Sequence, residues 1–383
     1  MNRPSIHYMP QLDSLRAIAV FAVMIHHWVP GFLGFETLGD LGVRCFFVLS
    51  GFLITGILLR ARAGVDAGRS TLGHQLTQFY IRRSLRIFPI YYLTLVVGVM
   101  LGMQLVRDTF WWHAAYGSNV YFALRGEWRG YVSHLWSLSV EEQFYLIWPI
   151  LVLALPRRRL PVLFAGGIAI AIATRAGLAA SLGAGHLAIK VLLPCTLDAL
   201  VCGAVLAWFF STRPGDAGPG RLPYRRWFPL VAVAFGGVVL LQNLGWGGAV
   251  LTVLGPLMEA IFFAGLIGYC AVGISGGVGW ILNLPGLQYI GRISYGLYLY
   301  HLFAAYVATL FARKLGLTLP EEGPWRFSVL LGLSFTAAVL SHRFIEEPFN
   351  RLKRFFPPDG PSPQSGRPLG GAVLLGNVPN PTT

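Results

Sequence analysis

The sequence has little charge. Asp, Glu, Lys and Arg make up 12% of its 383 residues, against about 25% in an ordinary soluble protein. Hydrophobic residues make up 55%, and the mean hydropathy is +0.60. Because a soluble globule could not cover its surface with so few charges, most of the outer surface must face lipid. The composition excludes a cytosolic enzyme, a secreted disulfide scaffold and a disordered chain.

Acidic residues and cysteines are also scarce. The net charge of +14 is spread in short basic clusters between apolar runs, without the interleaved aromatics of a nucleic-acid surface, so we expect no nucleic-acid binding. The four cysteines have neither metal-ligand nor disulfide-framework spacing. We expect them to be buried as small apolar residues, and we expect no metal site.

Long apolar runs are what the sequence has in abundance. A spanning helix needs about 20 mostly apolar residues, and ten segments qualify. The first carries Asp13 and Arg16 and is followed by no cleavage site, so we interpret it as a retained helix and not as a signal peptide. An aromatic segment, 110–122, is open to two interpretations, as a re-entrant or interfacial piece or as an eleventh span. The predicted spans are Gln11–Val29, Gly42–Leu59, Ile87–Val106, Leu135–Leu155, Pro161–Leu182, Pro194–Phe210, Phe228–Asn243, Ala249–Val272, Ile293–Phe311 and Trp325–His342.

The basic residues predict the orientation. Ten spans place both termini on one side, and of the 30 lysines and arginines, 20 then fall inside, 8 fall outside, and Arg16 and Arg175 lie within spans. This asymmetry favours cytoplasmic termini. We therefore predict an all-α membrane protein, a bundle of about ten transmembrane helices over residues 1–355, followed by a disordered cytoplasmic tail over 356–383 that is rich in Pro, Gly and Ser.

Ionisable residues inside spans are costly and usually functional. At 100° per residue, Asp13, Arg16 and His27 share one face of the first helix, and His27 lies about 16 Å beyond Arg16 along the axis. One interpretation is a polar seam inside the bundle. The other is a capping Asp13, a snorkelling Arg16 and an interfacial His27.

The fourth span begins with two adjacent acids, Glu141 and Glu142. Helix capping explains one acid but does not require two. At the predicted depth of His27, one of these carboxylates can orient the imidazole and raise its basicity.

Three arginines, Arg82, Arg83 and Arg86, stand at the inner entrance of the third span, at spacings that share a helix face. They suit either positive-inside anchoring or bidentate binding of phosphates, such as those of a cytoplasmic coenzyme. Elsewhere, Ser50-Gly51 is typical of close helix packing, and His301 lies mid-span and needs a polar partner. For Arg175, Asp198 and Glu259 we expect structural pairing, without a specific account of each.

Together these motifs resemble the acyltransferase-3 family of integral membrane acyltransferases. The resemblance runs in order from about Leu12 to Pro348. Its six motifs are Leu12-Asp13-x-Leu15-Arg16-Ala17 with His27, Phe46-Phe47-Val48-Leu49-Ser50-Gly51-Phe52, Arg83-x-x-Arg86-Ile87-x-Pro89, Trp136-x-Leu138-x-x-Glu141-x-Gln143-Phe144-Tyr145, Ser294-Tyr295-x-Leu297-Tyr298-x-x-His301, and Glu347-Pro348.

The resemblance implies transfer of an acyl group, often acetyl, from cytoplasmic acyl-CoA to a hydroxyl of a carbohydrate or glycosylated acceptor, in a bacterial inner membrane. It points to His27, Arg16, Glu141 and Asp13 as catalytic. We expect His27 to act as general base or acyl carrier, with Glu141 orienting it and Asp13 fixing Arg16. The donor would be held by Arg82, Arg83 and Arg86, and substrate contacts are expected from Trp136, Tyr145 and His301.

Some members carry an extra SGNH-type extracytoplasmic domain, which this sequence does not contain, so we expect the chain to act alone or with a separate partner. A transporter or flippase is the alternative, because buried Arg, His and Asp also line permeation paths. Pseudo-symmetric halves with interrupted helices would favour it, and the sequence shows none.

Overall fold

The computed structural model describes residues 9–357 except 30, 32–36, 213–225, 319 and 321–322. Within these residues the regular structure is helical and contains no strand, so the predicted all-α class is confirmed. The predicted tail lies outside the described residues from 358 onward. The helices are α1 (Pro10–Trp28), α2 (Leu38–Asp66), α3 (Leu72–Met100), α4 (Gln104–Asp108), α5 (Phe110–Ala114), α6 (Ser118–Arg125), α7 (Leu135–Ala154), α8 (Leu160–Leu182), α9 (Ala188–Val191), α10 (Leu193–Thr212), α11 (Phe228–Asn243), α12 (Gly248–Val272), α13 (Gly276–Leu282), α14 (Pro285–Arg292), α15 (Ser294–Lys314), α16 (Pro324–Ser341) and α17 (Glu347–Arg351).

Ten long helices lie where the ten spans are predicted. By length and composition, seven of the described helical segments can cross a membrane, and they include α2, α3, α8, α10, α12, α15 and α16. The other three are α1 and α7, which carry several ionisable residues, and α11, which has 16 residues. The protein is an integral membrane protein. The count of ten spans and the cytoplasmic termini stay predictions.

Two predicted boundaries are wrong for identifiable reasons. The third span is predicted from Ile87, but α3 begins at Leu72, where the Thr71 side chain accepts a hydrogen bond from the His74 amide. Its first half is too polar for an apolar window to detect. The chain then turns at Gly102, whose φ of +80° suits glycine, so the helix ends before Val106.

The segment 110–122 spans nothing. It forms the short helix α5 and part of α6, which bury His113, Ser118 and Asn119 against the bundle. This agrees with the first of the two interpretations and not with an eleventh span.

Helices α2 and α10 form the centre of the bundle. Both are mostly buried, whereas α8 and α16 are mostly exposed and so face the lipid. A Cβ on Gly51 of α2 would lie 1.8 Å from the Leu200 carbonyl oxygen, and one on Gly203 of α10 would lie 2.0 Å from that of Val48. The two backbones are in direct contact at these glycines, as small residues allow in membranes.

Helix α1 packs against α2, α14 and α15. The backbone of Asp13 in its first turn touches Gly291 of α14, where a Cβ would lie 1.8 Å from the Asp13 carbonyl oxygen. The start of α1 is thereby fixed, and its polar face is directed into the bundle towards α2 and α15.

Candidate active site

One cavity of about 80 Å³ gathers polar side chains from five helices. Arg16 comes from α1, Ser50 from α2, and Glu141 from α7, with two arginines from α3 and hydroxyl groups from α15. The residues lining this inner cavity are Arg16, Val43, Phe46, Phe47, Ser50, Arg83, Arg86, Ile87, Ser137, Leu138, Glu141, Ser294, Tyr295 and Tyr298. The structure therefore brings together Arg16, Arg83, Arg86 and Glu141, the first and last of which are 125 residues apart in sequence.

The inner cavity is rich in cations and hydrogen-bond donors. Three guanidinium groups face it together with the single carboxyl of Glu141, which accepts a hydrogen bond from the Ser50 hydroxyl. Tyr145 donates to Ser50 Oγ over 3.0 Å, and the Arg83 guanidinium lies 3.9 Å from the centre of the Tyr145 ring. Among the described residues, buried Arg83 Nε has no hydrogen-bond partner. A cavity lined by three guanidinium groups, with a spare N–H donor, suits an anionic ligand.

Three histidines form a second cluster. The ring centres of His27 and His301 are 4.9 Å apart, and those of His301 and His134 are 4.8 Å apart. His301 and His134 are fully buried, whereas His27 is partly exposed. His27, on α1, is therefore the accessible member of this cluster.

Backbone carbonyls orient each imidazole. His27 Nδ1 lies 2.9 Å from the Val23 oxygen, His301 Nδ1 lies 2.6 Å from the Tyr298 oxygen, and His134 Nε2 lies 3.0 Å from the Leu299 oxygen. A carbonyl can only accept, so each of these nitrogens carries the hydrogen. His27 Nδ1 is also 3.4 Å from His301 Nε2, which therefore faces it as an acceptor. His27 Nε2 is left with its lone pair, as a general base requires.

Tyr298 joins the inner cavity to the histidine cluster. Its side chain lines the cavity, and its hydroxyl is 2.5 Å from Ser137 Oγ and donates to the His134 carbonyl over 3.2 Å. Its own carbonyl holds His301. The tyrosine thus forms the boundary between the two groups of polar residues.

One predicted contact is wrong. Glu141 was expected to orient His27, but the Glu141 carboxyl is bonded to Ser50, and the groups that hold His27 Nδ1 are the Val23 carbonyl and His301. Glu141 and His27 were expected to be in contact because they were predicted to lie at the same depth in the bundle. Tyr298 occupies the space between them instead.

The other predicted residues divide among three places. Asp13 lies in the first turn of α1, one turn before Arg16. Arg82 does not line the inner cavity, since its Nη1 donates to the carbonyls of Lys353 and Phe356, 3.0 Å from each. Trp136 lines a second cavity that adjoins the inner one, while Tyr145 supports Ser50.

Sequence reasoning missed three functional candidates. It assigned Ser50-Gly51 to helix packing alone, which the close contact at Gly51 explains, but Ser50 also holds Glu141. It gave no role to His134 or Tyr298, although Tyr298 stands in a quoted motif and His134 lies two residues before another. The available signal was a His beside one apolar run and a Tyr within another, because each needs a polar partner in a bundle core. No group of three or more metal-ligating side chains is arranged to hold an ion in the described part of the chain.

Comparison with known proteins agrees with this architecture. The model of a family described as an acyltransferase domain matches residues 9–343, nearly the whole helical bundle. The chain belongs to the acyltransferase-3 family. The resemblance seen in the sequence is thereby confirmed, and with it the class of membrane acyltransferases.

Several curated proteins are similar to this family member. The peptidoglycan O-acetyltransferase OatA of Listeria monocytogenes serovar 1/2a (strain ATCC BAA-679 / EGD-e) is 28% identical over 91% of this chain and 57% of its own length. A Bacillus subtilis (strain 168) protein named "Putative peptidoglycan O-acetyltransferase YrhL" is 26% identical over 89% of this chain and 55% of its own. The chain thus spans little more than half the length of these relatives. No solved structure matches it.

Proposed function

We propose that the chain is a membrane O-acyltransferase that moves an acyl group, most simply acetyl, from acyl-CoA to a hydroxyl of a carbohydrate or glycosylated acceptor. Membership of the acyltransferase-3 family and the printed activity of the Listeria relative support this chemistry. The observation that carries the proposal is the convergence of Arg16, Arg83, Arg86 and Glu141 on one cavity bounded by Tyr298.

The donor binds at the inner cavity. Coenzyme A carries several phosphate charges, and Arg83 and Arg86 on α3 supply guanidinium groups to pair with them. The unpartnered Arg83 Nε is a donor ready for a phosphate oxygen. Arg82 belongs to a different contact and serves to tie α3 to the segment after α17.

His27 acts on the acceptor hydroxyl. Its free Nε2 takes the hydroxyl proton as the alcohol oxygen attacks the thioester carbonyl, so that a C–O bond forms and the C–S bond breaks. The proton then passes from His27 to the departing thiolate. The Val23 carbonyl and His301 keep Nδ1 protonated throughout. Arg16, on the same helix face, stabilises charge along the polar seam of α1.

The pantetheine arm must extend past Tyr298 to bring the thioester to His27, which lies about 16 Å from Arg16 along α1. Two routes then follow, and in one of them the alcohol attacks the thioester directly. In the other, His27 Nε2 first displaces the thiol and carries the acyl group itself. Only the second route leaves labelled acyl on the protein in the absence of acceptor.

Labelled acetyl-CoA, supplied to membranes that contain each variant, tests the proposal. His27→Ala is expected to lower transfer to glycan or lipid by about 10²- to 10⁴-fold, the contribution of a general base. His26→Ala is the matched control, because it removes the neighbouring imidazole of the same helix turn and is expected to retain transfer. Equal transfer by wild type and His27→Ala would eliminate His27 as base and as carrier. Wild-type membranes that transfer no label would overturn the acyltransferase proposal itself.

A further inference from the structure

A second cavity lies at the opposite end of the bundle from Arg82. Its volume is about 390 Å³, within the range of about 300–1,000 Å³ of small-molecule sites. The walls come from the starts of α2, α7, α10 and α12 and from the ends of α8 and α11, so this outer cavity opens on the predicted outer side. The proposed donor chemistry uses none of its polar residues.

Four charged side chains stand behind this cavity and neutralise one another. Arg175 Nη2 lies 2.7 Å from Asp198, while Arg44 lies 3.6 Å from Asp198 and 3.2 Å from Glu259. Two guanidinium groups face two carboxylates, so the quartet has no net charge. This pairing agrees with the structural role expected for Arg175, Asp198 and Glu259. At the rim, Lys190 and Asp40 form another neutral pair at 2.5 Å.

Beside the cavity, the quartet and its neighbour Gln242 include an acceptor and a donor atom that make no hydrogen bond among the described residues. Gln242 donates from Nε2 to Glu259 over 3.0 Å, while its own Oε1 is buried without a partner among the described residues. Arg44 Nη1 likewise makes no hydrogen bond there. The Gln242 amide oxygen is thus left to accept from a ligand, while Arg44 Nη1 has only its 3.6 Å ion pair with Asp198.

Two tryptophans complete the wall. Trp136 is buried, but Trp128 is 45% exposed, and their ring centres lie 6.2 Å apart. An indole face combines apolar area with a polar edge, and it packs against the C–H face of a sugar ring. The combination of a neutral polar network and an exposed indole suits a polyhydroxylated, uncharged ligand.

We propose that the outer cavity binds a neutral sugar unit of the acceptor glycan, with Trp128 stacked on the ring and Gln242 bonded to a hydroxyl. This inference rests on the proposed acyltransferase function and locates its acceptor. An anionic acceptor would require unpaired positive charge, and the lysine and arginines at the outer cavity are all paired with carboxylates. Val43 and Phe47 of α2 line both cavities, so the proposed donor and acceptor sites share a wall.

Binding and transfer are measured separately on the purified full chain in lipid nanodiscs. Equilibrium dialysis without donor uses a labelled neutral disaccharide of N-acetylglucosamine and a sulfated analogue of it. Wild type is expected to bind the neutral sugar more tightly. Trp128→Ala is expected to weaken that binding, and to raise the acceptor KM in the transfer assay, by roughly tenfold while the donor KM stays constant.

Trp111→Ala is the matched control, because that indole is 79% exposed and lies outside the cavity. Gln242→Leu is a second variant of similar size, expected to weaken binding of the neutral sugar if Trp128→Ala does not fold. Equal binding by Trp128→Ala, Gln242→Leu and Trp111→Ala, or tighter binding of the sulfated sugar, overturns the inference. Sugar binding that depends on Trp128 supports the cavity even if wild type transfers no acyl group, a result that would refute the proposed function alone.

Discussion

The contact between α2 and α10 makes a sharp prediction at Gly51. In an exposed helix, Gly→Ala stabilises by about 1 kcal/mol, because alanine has the higher helix propensity. At Gly51 the opposite is expected. The added Cβ would lie 1.8 Å from the Leu200 carbonyl oxygen, so the two backbones must separate by at least about 1.2 Å to reach 3.0 Å, below which real Cβ contacts are essentially never found.

The size of the effect follows from what surrounds this contact. Overpacking a core costs about 1–3 kcal/mol where neighbours can adjust, and here the neighbour is backbone, which cannot rotate away. We expect a loss at the upper end of that range. Ser50, the preceding residue, would shift with the helix, and its hydrogen bond to Glu141 would be weakened.

Gly56→Ala is the matched control on the same helix. Its added Cβ would meet only the flexible end of Arg60, at 3.6 Å, so its effect is expected to be neutral or stabilising. Thermal unfolding in detergent, followed by fluorescence-detected size exclusion, compares the two variants with wild type. A Gly51→Ala protein as stable as Gly56→Ala would refute the close approach of α2 and α10.

Two further predictions concern the inner cavity. Arg86→Ala is expected to raise the donor KM by roughly 10- to 100-fold, the value of about 1.5–3 kcal/mol for a charged hydrogen bond, and to change the acceptor KM less. Arg82→Ala, which loses contacts to the backbone near Lys353, should lower stability without this donor effect, and an unchanged donor KM in Arg86→Ala contradicts the phosphate role. Glu141→Gln should reduce transfer more than Glu142→Gln, because only Glu141 of these two acids lines the cavity. The reverse order in steady-state assays would show that the role belongs to Glu142.

Much of the fold was predictable because the bilayer restricts it strongly. Apolar runs long enough to span predicted ten helices, and ten long helices lie at those positions. The start of α3 was missed because its first half is polar, and the decisive signal there is the Thr71 cap, which lies well before the apolar run. Hydropathy detects the apolar part of a helix that faces lipid, and it does not detect a polar part of the same helix that extends beyond the bilayer.

The sequence predicted which residues form the site better than it predicted which of them are in contact. Helix spacing placed Arg16 and His27 on one face of α1, and the motifs selected Glu141. Neither the spacing nor the motifs reveal which side chain from another helix fills the space between Glu141 and His27. Tyr298 fills it, and a backbone carbonyl, invisible in any motif, orients His27. Contacts between helices depend on rotation and tilt, which the sequence constrains only through packing at positions such as Gly51.

The two cavities give the proposed reaction a direction. The inner cavity is lined by three arginines and suits the proposed anionic donor, whereas the charges at the outer cavity are paired and suit the proposed uncharged acceptor. Transfer between them requires an element that borders both cavities. Helix α2 meets this requirement, because its Val43 and Phe47 line each of them. The proposed base, His27, lies on α1, which packs against α2, so the proposed transfer is expected beside the contact between these two helices.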